Sequence, residues 1–498
     1  MNKKVLYIIL ILAFVSLPFI ILNVSLIDIF FAMPNLFRFL FNNFFPPNWQ
    51  ALEGNFTVII NTIFFAVVGT CISAVLAFFL GLLMSNHFNP FAPIRILVRF
   101  FVSFLRNIPI VIFASILVFI FGIGPLIGII ALVLGNLGFL ARSYAENIDG
   151  IAETKLEALR ATGASYPQIV FHGLLPAFMP AWLNWTLFAF EVNIRLSAIL
   201  GMVGAGGLGL LIQANLDLRN FRRTMALIII LVAFVLLTEF LVNKLRTALA
   251  KNLPYPAIAL LIIVAFFASV NALNLNFHTF IERLSGAPAV LSHFMTFDWT
   301  VAQEILRALM TSILLAISGL ILGTVTAFFL AFLAAKNTAP FKTVSILIKA
   351  FVAILRAIPS LVIILMIIAS LGFGYVAAVL GIAFSSLGYL TRAFTASIEE
   401  QDESKIEALK STGASHIQVI YHGILPSVKG LFVKWVSISL EANISDSISL
   451  GVVGAGGVGM LLARAIRQSD FSYIATGVFI IFIAMFFLEL LTSRFKKE

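Results

Sequence analysis

Two stretches of this chain set ionisable residues inside otherwise apolar runs: Glu191-Val192-Asn193-Ile194-Arg195 and Glu441-Ala442-Asn443-Ile444-Ser445-Asp446. A charged group in a membrane-spanning helix is costly and usually faces a bundle interior or a water-filled cavity. Glu191 and Arg195 are four residues apart, so one helical face carries both and they can pair. Mutual neutralisation for packing is the alternative there. It does not extend to Glu441, because Ser445 stands where the first stretch has Arg195. A second pair of motifs, Arg106-Asn107-Ile108-Pro109 and Arg356-Ala357-Ile358-Pro359, places a cation beside a proline that can kink a helix and free backbone groups. Arg106 and Arg356, with Arg195 third, are the candidates for attracting an anion along a pathway. Glu191, Asn193, Glu441 and Asn443 are the other candidate lining residues. Arg142 and Arg392 sit at the ends of apolar runs, where snorkelling suits them.

The glycine-rich stretches 201–209 and 451–459 have the spacing of a dinucleotide fingerprint, but no strand–turn–helix unit surrounds them. Within a membrane, clustered glycines allow close backbone approach or non-helical backbone beside a cavity. Gly204, Gly206, Gly207, Gly454, Gly456 and Gly457 are therefore expected to form gates at the outer ends of two spans, with close packing alone as the alternative. The six His are scattered, so no metal cluster or catalytic residue is expected. The sequence has no Gly-x-x-x-x-Gly-Lys-Ser/Thr phosphate loop, so nucleotide hydrolysis by this chain is not expected either.

The elements that must carry these residues are membrane helices. Of the 498 residues, 61% are apolar and 11% charged, against about 45–50% and 25% in soluble domains. Net charge is +10, and the positives gather in short loops and at the termini, which points to membrane orientation rather than nucleic acid. Cys71 lies in an apolar run and is the only cysteine, so no internal disulfide can form. Lys3 and Lys4 precede an apolar stretch that lacks a convincing cleavage site and reads as an uncleaved first helix.

Shifting the chain by 250 residues aligns it with itself: Trp49 with Trp299, Leu105–Pro109 with Leu355–Pro359, Gly201–Gly209 with Gly451–Gly459. This is a tandem duplication, with expected domains 1–249 and 250–498. The expected spans lie near 5–22, 56–84, 96–121, 124–142, 180–200 and 225–243, then near 255–272, 306–334, 346–371, 374–392, 430–450 and 475–493. The expected fold is all-α, with about 12 transmembrane helices in two parallel repeats. Lys3/Lys4, Arg95/Arg99, Lys244/Arg246/Lys251, Lys336/Lys342/Lys349 and Arg494/Lys496/Lys497 fall on one side, which is read as cytoplasmic with both termini. Arg219, Arg222 and Arg223 fall on the other. Segments 23–55 and 273–305, with Trp49 and Trp299, are read as interfacial or as ordinary loop.

The longest polar intervals, 143–179 and 393–429, lie on the cytoplasmic side. Glu153, Lys155, Glu157 and Arg160 interleave with Leu156, Leu159 and Ala161 in a helical pattern that Gly163 interrupts. Ser165-Tyr166-Pro167 can then cap a second short helix. Such an elbow cannot enter lipid, yet its apolar face needs something to dock on.

The pattern Glu157-Ala158-Leu159…Gly163…Leu174-Leu175-Pro176, repeated as Glu407-Ala408-Leu409…Gly413…Ile424-Leu425-Pro426, resembles the coupling loop of ATP-driven import permeases. Leu159 and Leu409 replace that loop's second alanine, and Gly173 and Gly423 its isoleucine. Together with Glu-x-Asn-Ile-Arg and the Val-Gly-Ala-Gly-Gly segment, the chain resembles the phosphonate importer permease family, in a fused form. The resemblance implies a type I importer permease fold in the cell membrane. It implies alternating access and a phosphonate, phosphite or phosphate cargo. It also implies two cytoplasmic ATP-binding subunits that bring ATP and Mg, and an extracytoplasmic binding protein. It makes Glu157, Ala158, Gly163, Leu175, Pro176, Glu407, Ala408, Gly413, Leu425 and Pro426 the ATPase-coupling residues. An ion-coupled secondary transporter with parallel repeats, the same importer class with another solute, and a membrane enzyme are the competing readings.

Overall fold

In the computed structural model, residues 15–89, 91–151, 159, 161–250, 255–275, 278, 281–282, 288, 292, 294 and 296–497 are described, and among these no strand occurs. The first repeat supplies α1 (Leu26–Phe44), α2 (Phe56–Met84), α3 (Ala92–Asn107), α4 (Ile110–Phe121), α5 (Pro125–Gly150), α6 (Leu175–Leu200), α7 (Leu208–Asp217) and α8 (Phe221–Ala250). The second supplies α9 (Tyr255–Ala272), α10 (Ala302–Ala334), α11 (Lys342–Ala357), α12 (Ser360–Leu371), α13 (Tyr375–Glu399), α14 (Glu403–Ser411), α15 (Leu425–Val452), α16 (Gly457–Gln468) and α17 (Phe471–Lys497).

Among the described residues eight helices are long and apolar enough to cross a membrane, or up to 11 if three bent pairs each count as one span. Eight of the expected spans coincide with the eight single helices. The expected spans 96–121 and 346–371 are each bent at the proline expected to kink them: α3 and α4 meet at 90°, α11 and α12 at 89°. Pro109 and Pro359 cause the break. Proline pushes its predecessor out of helical geometry, and Ile108 and Ile358 sit at extended angles (φ −98°, ψ 126° and φ −83°, ψ 123°). After the bend, α4 and α12 have only 12 residues each, or about 18 Å against the roughly 30 Å of a bilayer core. The expected span 5–22 lies mostly outside the described residues. Its end, Val15–Ile21, bends by 76° into α1. The expected span 255–272 is a shorter apolar helix. Beyond the expected spans 124–142 and 374–392, α5 and α13 continue as helix into the polar intervals, to Gly150 and Glu399. Arg142 Nε bonds Glu146 Oε1 at 2.9 Å one turn on, which suits helix there.

Two compact units form, residues 47–295 and residues 1–46 with 296–498. They are offset from the repeats 1–249 and 250–498, because an N-terminal helix of each repeat, α1 or α9, packs in the unit built from the other. α1 lies on α12 and α13, with Leu36 and Phe44 fully buried, and α9 lies on α2.

Within the unit 47–295, α2 packs along α5. The contact is a stripe of small buried residues one turn apart, Gly69, Ser73, Ala77 and Gly81. In membranes such stripes bring helix backbones close, where dispersion and polar contacts hold them. A Cβ on Gly69 would lie 3.0 Å from Leu132, and one on Gly81 3.1 Å from Tyr144. The other unit repeats the device along α10 and α13 with Gly319, Gly323, Ala327 and Ala331.

Trp49 and Trp299, expected at interfacial depth, are both exposed and open short 3-10 turns. Asn48 and Asp298 cap those turns, Asn48 accepting from Gln50 N at 3.0 Å and Asp298 from Thr300 N at 2.9 Å. The Thr300 hydroxyl also donates to Asp298, and the two bonds hold its carboxyl below the ordinary range.

Candidate functional site

The elbow is built the same way in each repeat. Its first arm is α14 in the second copy; the matching residues 152–158, including Glu157 and Ala158, lie outside the described residues. Glu407 and Ala408 are exposed on α14. Thr162 Oγ1 and Thr412 Oγ1 close the first arm by donating to Leu159 O and Leu409 O, each at 2.8 Å. The chain then turns at Gly163 and Gly413, both at φ +79°. That is the left-handed region, which glycine enters without a Cβ penalty. The second arm starts at Ser165 and Ser415, whose N–H groups donate to Gln168 Oε1 and Gln418 Oε1 at 2.8 Å, a reciprocal cap. Pro167 stands in the first turn, as its fixed φ favours.

The elbow is anchored on its own bundle from within. Leu159, Ala164, Ile169, Val170 and Leu174 join a core with Tyr144, Ile148 and Phe178. Leu409, Ala414, Val419 and Ile424 join the matching core with Phe394 and Phe432. Between arm and span the backbone widens to a π-helical stretch, Ile169–Leu174 and Val419–Ile424. Such widened turns are rare and occur often at functional sites. Leu175 and Leu425 are half-buried, and Pro176 and Pro426 are exposed at the start of α6 and α15, directly after the widened turn. Sequence reasoning missed the outward apolar set on the second arm: Tyr166, Phe171, Ile417 and Tyr421, between 53% and 76% exposed. Four large apolar side chains on a polar excursion were the available signal.

At the other end of α6 and α15 the glycine-rich segments leave helix geometry. Gly204, Gly206 and Gly207 have φ of 104°, 91° and 73°, and Gly454, Gly456 and Gly457 of 99°, 96° and 72°. A Cβ on Gly209 would overlap Ala198 O, and one on Gly459 would overlap Ile448 O, so the returning helix crosses backbone against backbone. A hydroxyl staple holds each turn to α2 or α10. Thr62 Oγ1 accepts from Leu208 N at 2.8 Å, and Ser197 Oγ donates to Thr62 O at 3.2 Å. In the second copy Ser312 Oγ accepts from Val458 N at 3.1 Å, and Ser447 Oγ donates to Ser312 O at 2.8 Å. None of these four hydroxyls was singled out from sequence, although they match in the 250-residue register.

The charged pathway candidates separate. Arg195 Nη2 lies 3.3 Å from Glu191 Oε1, with side chains 21% and 8% exposed, so the expected pair forms. Asn193 and Asn443 are buried between helices. Asn193 donates to Thr70 Oγ1 at 2.7 Å and accepts from Asn136 Nδ2, while Asn443 donates to Ser386 Oγ at 2.7 Å. Glu441 accepts from Thr492 Oγ1. Arg106 and Arg356 are half-buried. Arg106 lines a cavity with Arg99 and Arg142 that does not include Glu191, Asn193 or Arg195. Arg219, Arg222 and Arg223 are exposed at the end opposite the elbow.

Two segments of the chain, 77–255 and 327–497, match the family profile described as "Binding-protein-dependent transport system inner membrane component". Together they cover well over half of the chain, in the register of the internal repeat. The chain belongs to this family. It is thus a multi-pass transport permease, with the family domain present twice. Among curated proteins it is similar to the phosphate-import permease protein PhnE of Mycolicibacterium smegmatis, 25% identical over 88% of this chain and 84% of that one. It is similar to the phosphite transport system permease protein PtxC of Stutzerimonas stutzeri, 29% identical over 40% of this chain and 73% of that one. A putative cryptic phosphonate transport system permease protein, PhnE2 of Escherichia coli, is 34% identical over 24% of this permease and 96% of its own length. Among solved structures, an inward-facing MetNI methionine ABC transporter chain overlaps 40% of this permease and 98% of its own length at 19% identity and a TM-score of 0.37. At that score the overlap carries no argument.

Proposed function

We propose that this permease imports a small phosphorus oxyanion (phosphate, phosphite or a phosphonate) by alternating access. Force enters through the two elbows from a pair of cytoplasmic ATP-binding subunits, which bring ATP and Mg. An extracytoplasmic binding protein delivers the cargo at the opposite end. The observation that carries the reading is the elbow itself: the same glycine hinge, the same reciprocal cap and the same widened turn in both repeats, anchored in the core on one side. Exposed apolar side chains on the other side offer a partner a greasy surface. The excess of Lys and Arg around the elbow end supports its cytoplasmic placement, with both termini. The glycine turns at the far ends serve as gates, their stapled helices moving as short rigid levers. The cargo class is supported by the phosphate, phosphite and phosphonate permeases to which the chain is similar.

The test is reconstitution of the permease in proteoliposomes with its ATPase and binding protein. Uptake of labelled phosphate or methylphosphonate should need ATP and survive ionophores. Uptake that ignores ATP and collapses with the ion gradient would replace this reading with a secondary transporter.

A further inference from the structure

A cavity of about 300 Å³ opens between α2, α3 and α5, near the Met84 end of α2 and the end of α5 that leads to the elbow. Its polar lining is Arg99, Ser103, Arg106, Arg142, Glu146 and Asp149. Among the described residues three guanidiniums thus face two carboxylates, and both carboxylates accept hydrogen bonds. Asp149 Oδ1 accepts from Ser85 Oγ at 2.5 Å and Asn86 N at 3.0 Å, and its Oδ2 accepts from Asn86 Nδ2 at 3.1 Å. Glu146 takes the Arg142 Nε bond at 2.9 Å.

Arg99 is held in place by its own helix-end contacts. Its Nε and Nη2 donate to Met84 O at 3.1 and 2.7 Å, and Nη2 also donates to Asn86 Oδ1 at 3.1 Å. Its Nη1 carries none of these bonds. Ser103 Oγ accepts from Asn107 Nδ2 at 3.1 Å, which leaves the hydroxyl proton to donate elsewhere. A fixed guanidinium edge and a hydroxyl donor, in a concave site lined by further guanidiniums, match a tetrahedral oxyanion.

The second repeat lacks the arrangement. Lys349 replaces Arg99, Ala353 replaces Ser103 and Ala396 replaces Glu146. There Lys349 Nζ reaches Glu399 Oε1 at 2.6 Å, so the cation is spent on the helix-end carboxylate. We infer that the cavity lined by Arg99, Ser103, Arg106 and Arg142 is a binding site for a phosphate-type oxyanion, present in the first repeat only. This goes beyond the transport reading, because the site stands whether or not the transported solute carries phosphorus. The bound group is either a free phosphate or phosphonate, or the phosphate of an anionic phospholipid. The second source has access because α3 also presents Ile94, Leu97 and Phe101 outward.

Two arms separate the sources. The full-length permease in nanodiscs of phosphatidylcholine alone is titrated with inorganic phosphate. In parallel, permease taken from vesicles containing phosphatidylglycerol is weighed by native mass spectrometry. The diagnostic variant is Arg99→Lys with Ser103→Ala, which copies residues that the other repeat already tolerates at the matching positions. The control is Lys349→Gln. Saturable phosphate binding, or retained phosphatidylglycerol, that falls at least tenfold in the variant and holds in the control supports the site and names its source. Neither ligand retained by the wild type, or retention equal in wild type and variant, overturns it. Uptake assays are not involved, so failure here leaves the transport reading untouched.

Discussion

Replacing Gly163 and Gly413 isolates the elbow geometry from everything else. Both glycines sit at φ +79°, and a Cβ at either would meet nothing within 4 Å. A substitution therefore meets no clash, and its cost is that of the left-handed backbone alone, about 1–2 kcal/mol for an ordinary L-residue. A β-branched side chain sits at the upper end, whereas asparagine tolerates this region far better. Two kcal/mol corresponds to a roughly thirtyfold fall in the ratio of native to altered turns, since each 1.4 kcal/mol is tenfold. The relevant series is Gly→Asn, Gly→Ala and Gly→Val at both positions, read in proteoliposomes as solute moved per ATP hydrolysed. Coupling should decline in that order, slightly for Asn and at least tenfold for Val. The thermal midpoint of the permease should stay within a few degrees, because neither glycine is packed. A Gly163→Val/Gly413→Val permease that transports with wild-type stoichiometry would refute the reasoning, as would a loss that follows side-chain volume rather than left-handed propensity.

Ser312→Ala strips the acceptor from the buried Val458 N–H and should cost about 1–3 kcal/mol, read as earlier unfolding of purified permease in denaturant; Thr62→Val should do the same to Leu208. Arg195→Met leaves the Glu191 carboxylate, 8% exposed, without its pairing partner. It should destabilise by about 3–5 kcal/mol, with much of the loss recovered when Glu191→Gln is added, as thermal melts of the single and double variants would show. Gly209→Ala drives a methyl into the backbone of α6 and should abolish folded expression, whereas Gly124→Ala, with open space around it, should behave as wild type in size-exclusion chromatography.

The repeat, the spans and the elbow were legible because each leaves a signature in composition or spacing. Apolar length announces a helix, and Gly163 with its capped second arm announces a turn whether or not the tertiary structure is known. The right-angle bends at Pro109 and Pro359 were half legible: the prolines mark a break, but the angle depends on how α3 and α4 pack against α5. Asn193 shows the limit more sharply. A polar residue inside an apolar run reads equally as pathway or as interhelical clasp, and only the positions of Thr70 and Asn136 bring out the clasp. The hydroxyl staples of Thr62 and Ser312 were hidden for a related reason. Serine and threonine are common in membrane helices, and what singles these two out is a backbone N–H from 146 residues further along.

The exchange of α1 sets a timing problem for the cell. α1 lies on α12 and α13, and roughly 300 residues separate it from them along the chain. At ribosomal speeds of about 5–20 residues per second, α1 must wait on the order of 15–60 s before its binding surface exists. Throughout that interval the side chains of Leu36 and Phe44 lack the surface that buries them in the finished fold. Truncating the chain before α12 would leave that face of α1 uncovered.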